Sequence, residues 1–323
     1  MSVLDNTSLE GKAGKGPRLP AIDIARGLAV IAMAVFHTSW DLSMLDLADL
    51  GIGGSQGGWA LFARTIAATF LAIAGIGLAL ANGNGIRWPH FLRRLAVICV
   101  AAAVITLGTR IAFPNAYIFF GILHNMALSS VIALPFLLLP RVAAALAAPV
   151  FLALPFFVSG GLFDLPALAF LGLGRFPPAT YDWVPVFPWT GYVLAGIGLS
   201  DLVVSLLPTG TGGRIGRGLA TLGRYSLIIY LLHQPLIFGA LYGLRQVTGP
   251  NPAAEAGPFL RNCVQSCRDQ DQGEKLCRAA CSCTVEALRR DGIFTPIREG
   301  RAGDELLQRA GNRAAECLKS SAS

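Results

Sequence analysis

The sequence predicts an all-α membrane protein: a polytopic bundle of about seven spans carrying a small, disulfide-stapled helical tail. Three observations predict it. The 323 residues are 54% hydrophobic and only 14% charged, with a mean hydropathy of +0.57, whereas a soluble domain of this length carries about a quarter charged residues. Apolar runs long enough to cross a bilayer recur along the first three quarters of the chain. Six of the seven cysteines crowd into the polar remainder.

Taken in order, residues 1–20 are polar and contain Gly and Lys. They show no short apolar core with a cleavage site, so a cytoplasmic segment is expected, with the first span as its own insertion signal. Spans are expected at 21–40, 58–82, 92–109, 116–139, 142–159, 184–206 and 222–245. A shorter run at 161–174 holds Asp164 and Pro166 and reads as re-entrant or interfacial. The expected organisation is therefore a segment at 1–20, a bundle at 21–246 and a tail at 247–323.

Lys and Arg set the orientation. Lys12, Lys15 and Arg18 precede the first span, and Arg87, Arg93 and Arg94 lie between the second and third. Arg141 follows the fourth, and Arg214, Arg217 and Arg224 precede the seventh. With seven spans all these loops share one side, which the positive-inside bias makes cytoplasmic. The alternate loops hold Asp41, Asp46 and Asp49, then Arg110, then Asp164, Arg175 and Asp182. The tail is then on the outer, periplasmic side. The net charge of +7 belongs to the bundle: residues 1–246 carry fifteen Lys/Arg against nine Asp/Glu, the tail eleven against ten. That distribution does not indicate a nucleic-acid partner; the expected partner is the lipid bilayer.

In the tail, Cys263 and Cys267, and then Cys277 and Cys281, stand four residues apart, one helical turn. The polar stretch between the pairs contains Gly273, which can end a helix or turn. An antiparallel hairpin would pair Cys267 with Cys277 and Cys263 with Cys281, leaving Cys283 for Cys317. Zinc is the competing reading of clustered cysteines. The periplasmic placement favours disulfides, and no metal is expected. Cys99, alone in the third span, reads as a small buried hydrophobe.

The bundle also contains costly polar groups, which are functional candidates by default in a membrane. Arg26 and His37 stand eleven residues apart in the first span, roughly three turns and about 16 Å along one helix face. Asp23 lies one turn before Arg26. Arg64, His124 and His233 follow in the second, fourth and seventh spans. Each has a plain structural reading as well. A lone histidine can be interhelical glue, Arg26 can snorkel to headgroups, and Trp183 and Trp189 suit an interfacial belt.

Four stretches at these residues resemble a known family. They are Asp23-Ile24-Ala25-Arg26-Gly27-Leu28-Ala29-Val30 through His37, Phe120-Gly121-Ile122-Leu123-His124, Asp182 through Gly191, and Tyr225 through Pro235. Their ordered set resembles bacterial membrane proteins sharing the catalytic domain of heparan-alpha-glucosaminide N-acetyltransferase, within a wider transmembrane acyltransferase superfamily. The resemblance spans roughly residues 20–245 and leaves the cysteine tail outside. It implies transfer of an acyl group, often acetyl from acetyl-CoA, across the membrane to a glycan or similar acceptor. Under it, Arg26, with Asp23 beside it, would meet a CoA phosphate. His37 would act as base or acyl carrier. His124, His233 or Arg64 would stabilise the oxyanion. The alternatives are a transporter or proton relay using the same ionisable groups, and a b-haem protein with two of the histidines as axial ligands.

Overall fold

The computed structural model describes residues 19–52, 57–83, 85–208, 210 and 212–322. The N-terminal segment, including Lys12, Lys15 and Arg18, lies almost entirely outside the described residues. The described residues are helical apart from loops, two 3-10 turns and one isolated bridge. In chain order the helices are α1 (Pro20–Met44), α2 (Gly58–Ala81), α3 (Trp88–Ala112), α4 (Ile122–Ile132), α5 (Leu134–Leu138), α6 (Arg141–Phe157), α7 (Val186–Gly198), α8 (Ser200–Leu206), α9 (Arg214–Arg224), α10 (Ser226–Thr248), α11 (Pro252–Arg268), α12 (Glu274–Arg290), α13 (Phe294–Arg298) and α14 (Asp304–Ala322).

Helices α1, α2, α3 and α10 are each long and apolar enough to cross a membrane. The pair α7 and α8, bent by 58° at Leu199, makes a fifth if counted as one broken span. This is a multi-pass membrane protein. The run at 116–139 contains a loop and two short helices, because Pro135 at the start of α5 cannot donate a backbone hydrogen bond. Helix α6 is apolar but only 17 residues long. The run at 161–174 forms the 3-10 turns Gly161–Asp164 and Pro166–Leu171.

The chain divides into two compact units, 1–34 with 61–233 and 35–60 with 234–323. In the first, Leu71, Leu78, Leu194 and Ile197 lead the buried core. Its helices meet where side chains are smallest. A Cβ on Gly75 would strike the Val193 carbonyl, and one on Gly196 would strike the Ala72 carbonyl, so α2 and α7 cross backbone to backbone. Gly27 and Gly223 do the same for α1 and α9, against the carbonyls of Leu219 and Asp23. Between α4 and α7, Asn125 Nδ2 donates to the Pro185 carbonyl at 2.9 Å. Ser129 Oγ donates to Asn125 Oδ1 at 2.9 Å and lies 2.8 Å from Thr190 Oγ1. The C-terminal carbonyls of α2 are capped by arginines: Arg87 Nε reaches Ala81 O at 2.8 Å and Arg141 Nη2 reaches Ala79 O at 3.1 Å.

In the second unit, α11, α12 and α14 enclose a small core of Ala256, Val285, Leu288, Ile293 and Phe294. Asn251 caps α11 by accepting from Ala253 N at 3.0 Å. Disulfides join Cys263 to Cys281, Cys267 to Cys277 and Cys283 to Cys317, staples that a core this small needs. Cys99 is the free cysteine and is exposed on α3 rather than buried. The tail grips the loop after α1. Arg298 forks onto Asp46 at 3.0 and 2.8 Å, Arg245 approaches the same carboxylate at 3.5 Å, and Arg261 pairs with Asp49. Asn251 N also donates to the Asp46 carbonyl at 2.8 Å.

Two outcomes check this architecture. Gly196→Val is expected to lower thermal stability in detergent through overpacking of about 1–3 kcal/mol; an unchanged melting curve would contradict the backbone-to-backbone crossing. Protein denatured without reductant should take one maleimide, at Cys99, and after reduction seven. Intact-mass spectrometry reads both numbers.

Candidate functional site

In the first unit, the first turns of α1 and the start of α3 bring cations together. Arg26 Nη1 donates to Asp23 Oδ1 at 3.3 Å across one turn. Arg26 Nη2 lies beside Gly77 of α2, 3.8 Å from where a Cβ would sit. Arg94 on α3 is an electrostatic neighbour of Arg26 and has no carboxylate partner among the described residues. Two guanidinium groups thus lie in one electrostatic neighbourhood, and Asp23 pairs with Arg26. Arg94 reads from the sequence as a loop residue, but α3 begins at Trp88 and carries it into the helix. Pro89 in the first turn signals that earlier start.

Elsewhere in this unit, two of the stretches singled out from the sequence meet. Phe120 and Trp183 form a parallel bridge, with Val184 N donating to Phe120 O at 3.2 Å. Asp182 then caps α4, its Oδ2 accepting from Ile122 N at 3.0 Å. Gly121 is required here because a Cβ would collide with that carboxylate. His124 reaches back to the same turn, its Nδ1 accepting from Gly121 N at 3.2 Å. Its Nε2 lies 3.1 Å from Thr106 Oγ1. That hydroxyl donates to Ile118 O at 2.7 Å, so it accepts from the imidazole Nε2–H. Both nitrogens of His124 are therefore engaged in holding the loop to α3 and α4. Burial pushes the Asp182 carboxyl up to about 6, against the lowering effect of the Ile122 amide.

His233 is arranged differently. Its Nδ1 lies 2.8 Å from Tyr230 O and 3.1 Å from Ile229 O. Both are carbonyls, so Nδ1 carries the proton and Nε2 the lone pair, the tautomer a base or acceptor needs. Arg64 lines an open groove of about 470 Å³ on α2 with Thr65, Thr69 and Tyr192. The threonine hydroxyls there bond back to Leu61 O and Thr65 O at 2.9 and 2.7 Å.

In the second unit, α1 continues to Met44 and carries His37, which packs edge-on against Phe36 at 5.5 Å between ring centroids. One turn on, Asp41 is completely buried. Its Oδ1 accepts from Gln234 Nε2 of α10 at 2.8 Å. Sequence reasoning assigned Asp41 to a loop and passed over Gln234. The signal was the apolar periodicity, which continues past residue 40 through Leu42 to Leu45.

The long apolar helices, with the polar groups they carry, define a multi-pass membrane protein. Residues 18–235 match the family described as heparan-alpha-glucosaminide N-acetyltransferase, catalytic. The match covers well over half the chain, and the protein belongs to that family. The cysteine tail lies beyond the match. No curated protein and no solved structure matches the chain. No group of three or more His, Cys, Asp or Glu able to hold a metal ion occurs among the described residues.

The Asp182 carboxyl titrates above its ordinary 3.8, so the folded state prefers it protonated. Its contribution to stability is full below pH 3.8 and is lost as pH rises through about 6. Asp182→Asn keeps the oxygen that caps α4 and removes the titration. The variant should gain on the order of 2 kcal/mol over wild type between pH 4 and 7, read as a difference of thermal unfolding curves in detergent. A constant difference across that range would contradict the assignment.

Proposed function

We propose that this protein is an acetyltransferase of the bacterial inner membrane that carries acetyl from cytoplasmic acetyl-CoA to an amine or hydroxyl of a glycan or similar acceptor on the outer face. The observation that carries the proposal is the family match over residues 18–235, from the start of α1 into α10. The orientation draws support from the Lys and Arg distribution. The three tail disulfides add to it, since such bonds persist in the periplasm. A seven-span count would use α4 with α5, and α6, as short crossings near the lower length limit of about 17 residues.

Arg26 and Arg94 would bind CoA phosphate. A phosphate supplies the negative charge that Asp23 alone leaves short, and guanidinium groups bind it as charge-assisted forks. Eleven residues later on the same helix, His37 would act at the acyl end. The roughly 16 Å rise between them is comparable to an extended pantetheine arm. The acceptor N or O attacks the thioester carbonyl while His37 takes its proton. The C–S bond then breaks, and the proton passes to the departing CoA sulfur. His37 as a covalent acyl carrier is the two-step version of the same chemistry. Arg64, through its charge, is the oxyanion-stabilising candidate. His233, whose Nδ1 proton is given to backbone carbonyls, presents a lone pair at Nε2 and suits an accepting role instead. His124 serves by holding the α4 loop.

Purified protein is expected to release CoA from acetyl-CoA, with glucosamine or water as acceptor. His37→Ala should reduce that turnover by a factor on the order of 10²–10⁴, and undiminished turnover would remove the base assignment. Arg26→Ala should raise KM for acetyl-CoA about tenfold or more, the worth of a charge-assisted hydrogen bond. An unchanged KM would move phosphate binding elsewhere.

A further inference from the structure

Asp41 is 0% exposed on a membrane-spanning helix, and no cation pairs with it among the described residues. Three arginines of the same unit are paired with other carboxylates, Arg245 and Arg298 with Asp46 and Arg261 with Asp49. A buried carboxylate without a counter-charge costs several kcal/mol, so its retention calls for a reason. Its one side-chain hydrogen bond comes from Gln234, which occupies Oδ1. Oδ2 is buried with no partner, and so is Gln234 Oε1. The amide orientation is set by this contact, because turning Gln234 over would set two acceptor oxygens against each other. Gln234 thus holds one edge of the carboxylate and leaves the other open.

Asp41 follows His37 by four residues on α1. At that spacing two side chains share a helix face, with Cβ atoms about 5–6 Å apart. A base with a third group behind it is the general arrangement of an activated catalytic histidine.

We propose that Asp41, locked by Gln234, is the positioning residue of His37: its open Oδ2 holds the imidazole by a ring N–H and offsets the imidazolium formed when His37 takes the acceptor's proton. The inference rests on the reading of His37 as the base. It also accounts for the uncompensated charge, which finds its partner during the reaction. The proton removed from the acceptor passes to the CoA sulfur, so Asp41 itself gains and loses no proton in the cycle. Gln234 acts one step further out, keeping the carboxylate from rotating.

Asp41→Asn tests this because asparagine retains an oxygen for Gln234 and loses the charge. With acetyl-CoA and glucosamine as probe substrates, kcat should fall on the order of 10²-fold with KM for acetyl-CoA unchanged. Gln234→Ala should lower kcat about tenfold through lost orientation. ¹⁵N-histidine NMR of the full protein in detergent with acetyl-CoA should show His37 as one tautomer in wild type and as a mixture in Asp41→Asn. Wild-type kcat in Asp41→Asn, beside an inactive His37→Ala, would overturn the positioning role and leave the base assignment standing. If His37→Ala is instead active, the base reading fails. The NMR measurement still decides the pairing, and an unchanged single tautomer in Asp41→Asn overturns it.

Discussion

Lipid offers no hydrogen bonds, and that constraint orders the interior of this bundle. Every polar group that α1 to α10 carry inward must find a protein partner or cost several kcal/mol. Asn125, Ser129 and Thr190 solve the problem together, closing a buried chain between α4 and α7. His124 solves it by bonding through both ring nitrogens. His233 solves it through one, against the carbonyls of its own helix. Asp41 solves only half of it. The difference separates groups whose polar atoms are all engaged in holding the fold from groups that keep a buried polar atom unengaged.

The same absence of water removes the usual hydrophobic drive between helices, so close packing must supply the cohesion. Glycines at 27, 75, 196 and 223 let backbones meet where a methyl group would not fit. The tail works under different rules. Its core is a handful of residues around Leu288 and Phe294, and three disulfides together with the fork of Arg298 on Asp46 make up the shortfall. Through Asp46 and Asp49 the tail also holds the loop that follows the His37 segment of α1.

Much of the fold could be read from residue order alone. The long apolar runs correspond to α1, α2, α3 and α10 within a few residues, because span length and apolarity are local properties. Local reading falters where a run is interrupted from within. The stretch at 116–139 looks continuous, yet Asp182, some sixty residues away, caps α4 at Ile122, and Pro135 breaks the helix beyond. Helix ends were the other weak point. An extra turn on α1 and an earlier start of α3 turned Asp41 and Arg94 from loop charges into intramembrane ones.

By itself, the sequence determined an all-helical membrane chain, the spacing of Arg26 and His37 on one face, and the one-turn cysteine pairs, since each follows from composition or helical period. Only the tertiary structure decided which nitrogens of His124 and His233 are occupied, which arginines share a counter-ion and which carboxylate stands without one. Those are relations between residues that period and composition cannot bring together. Gln234 and Asp41 lie 193 positions apart in the chain and 2.8 Å apart in the protein.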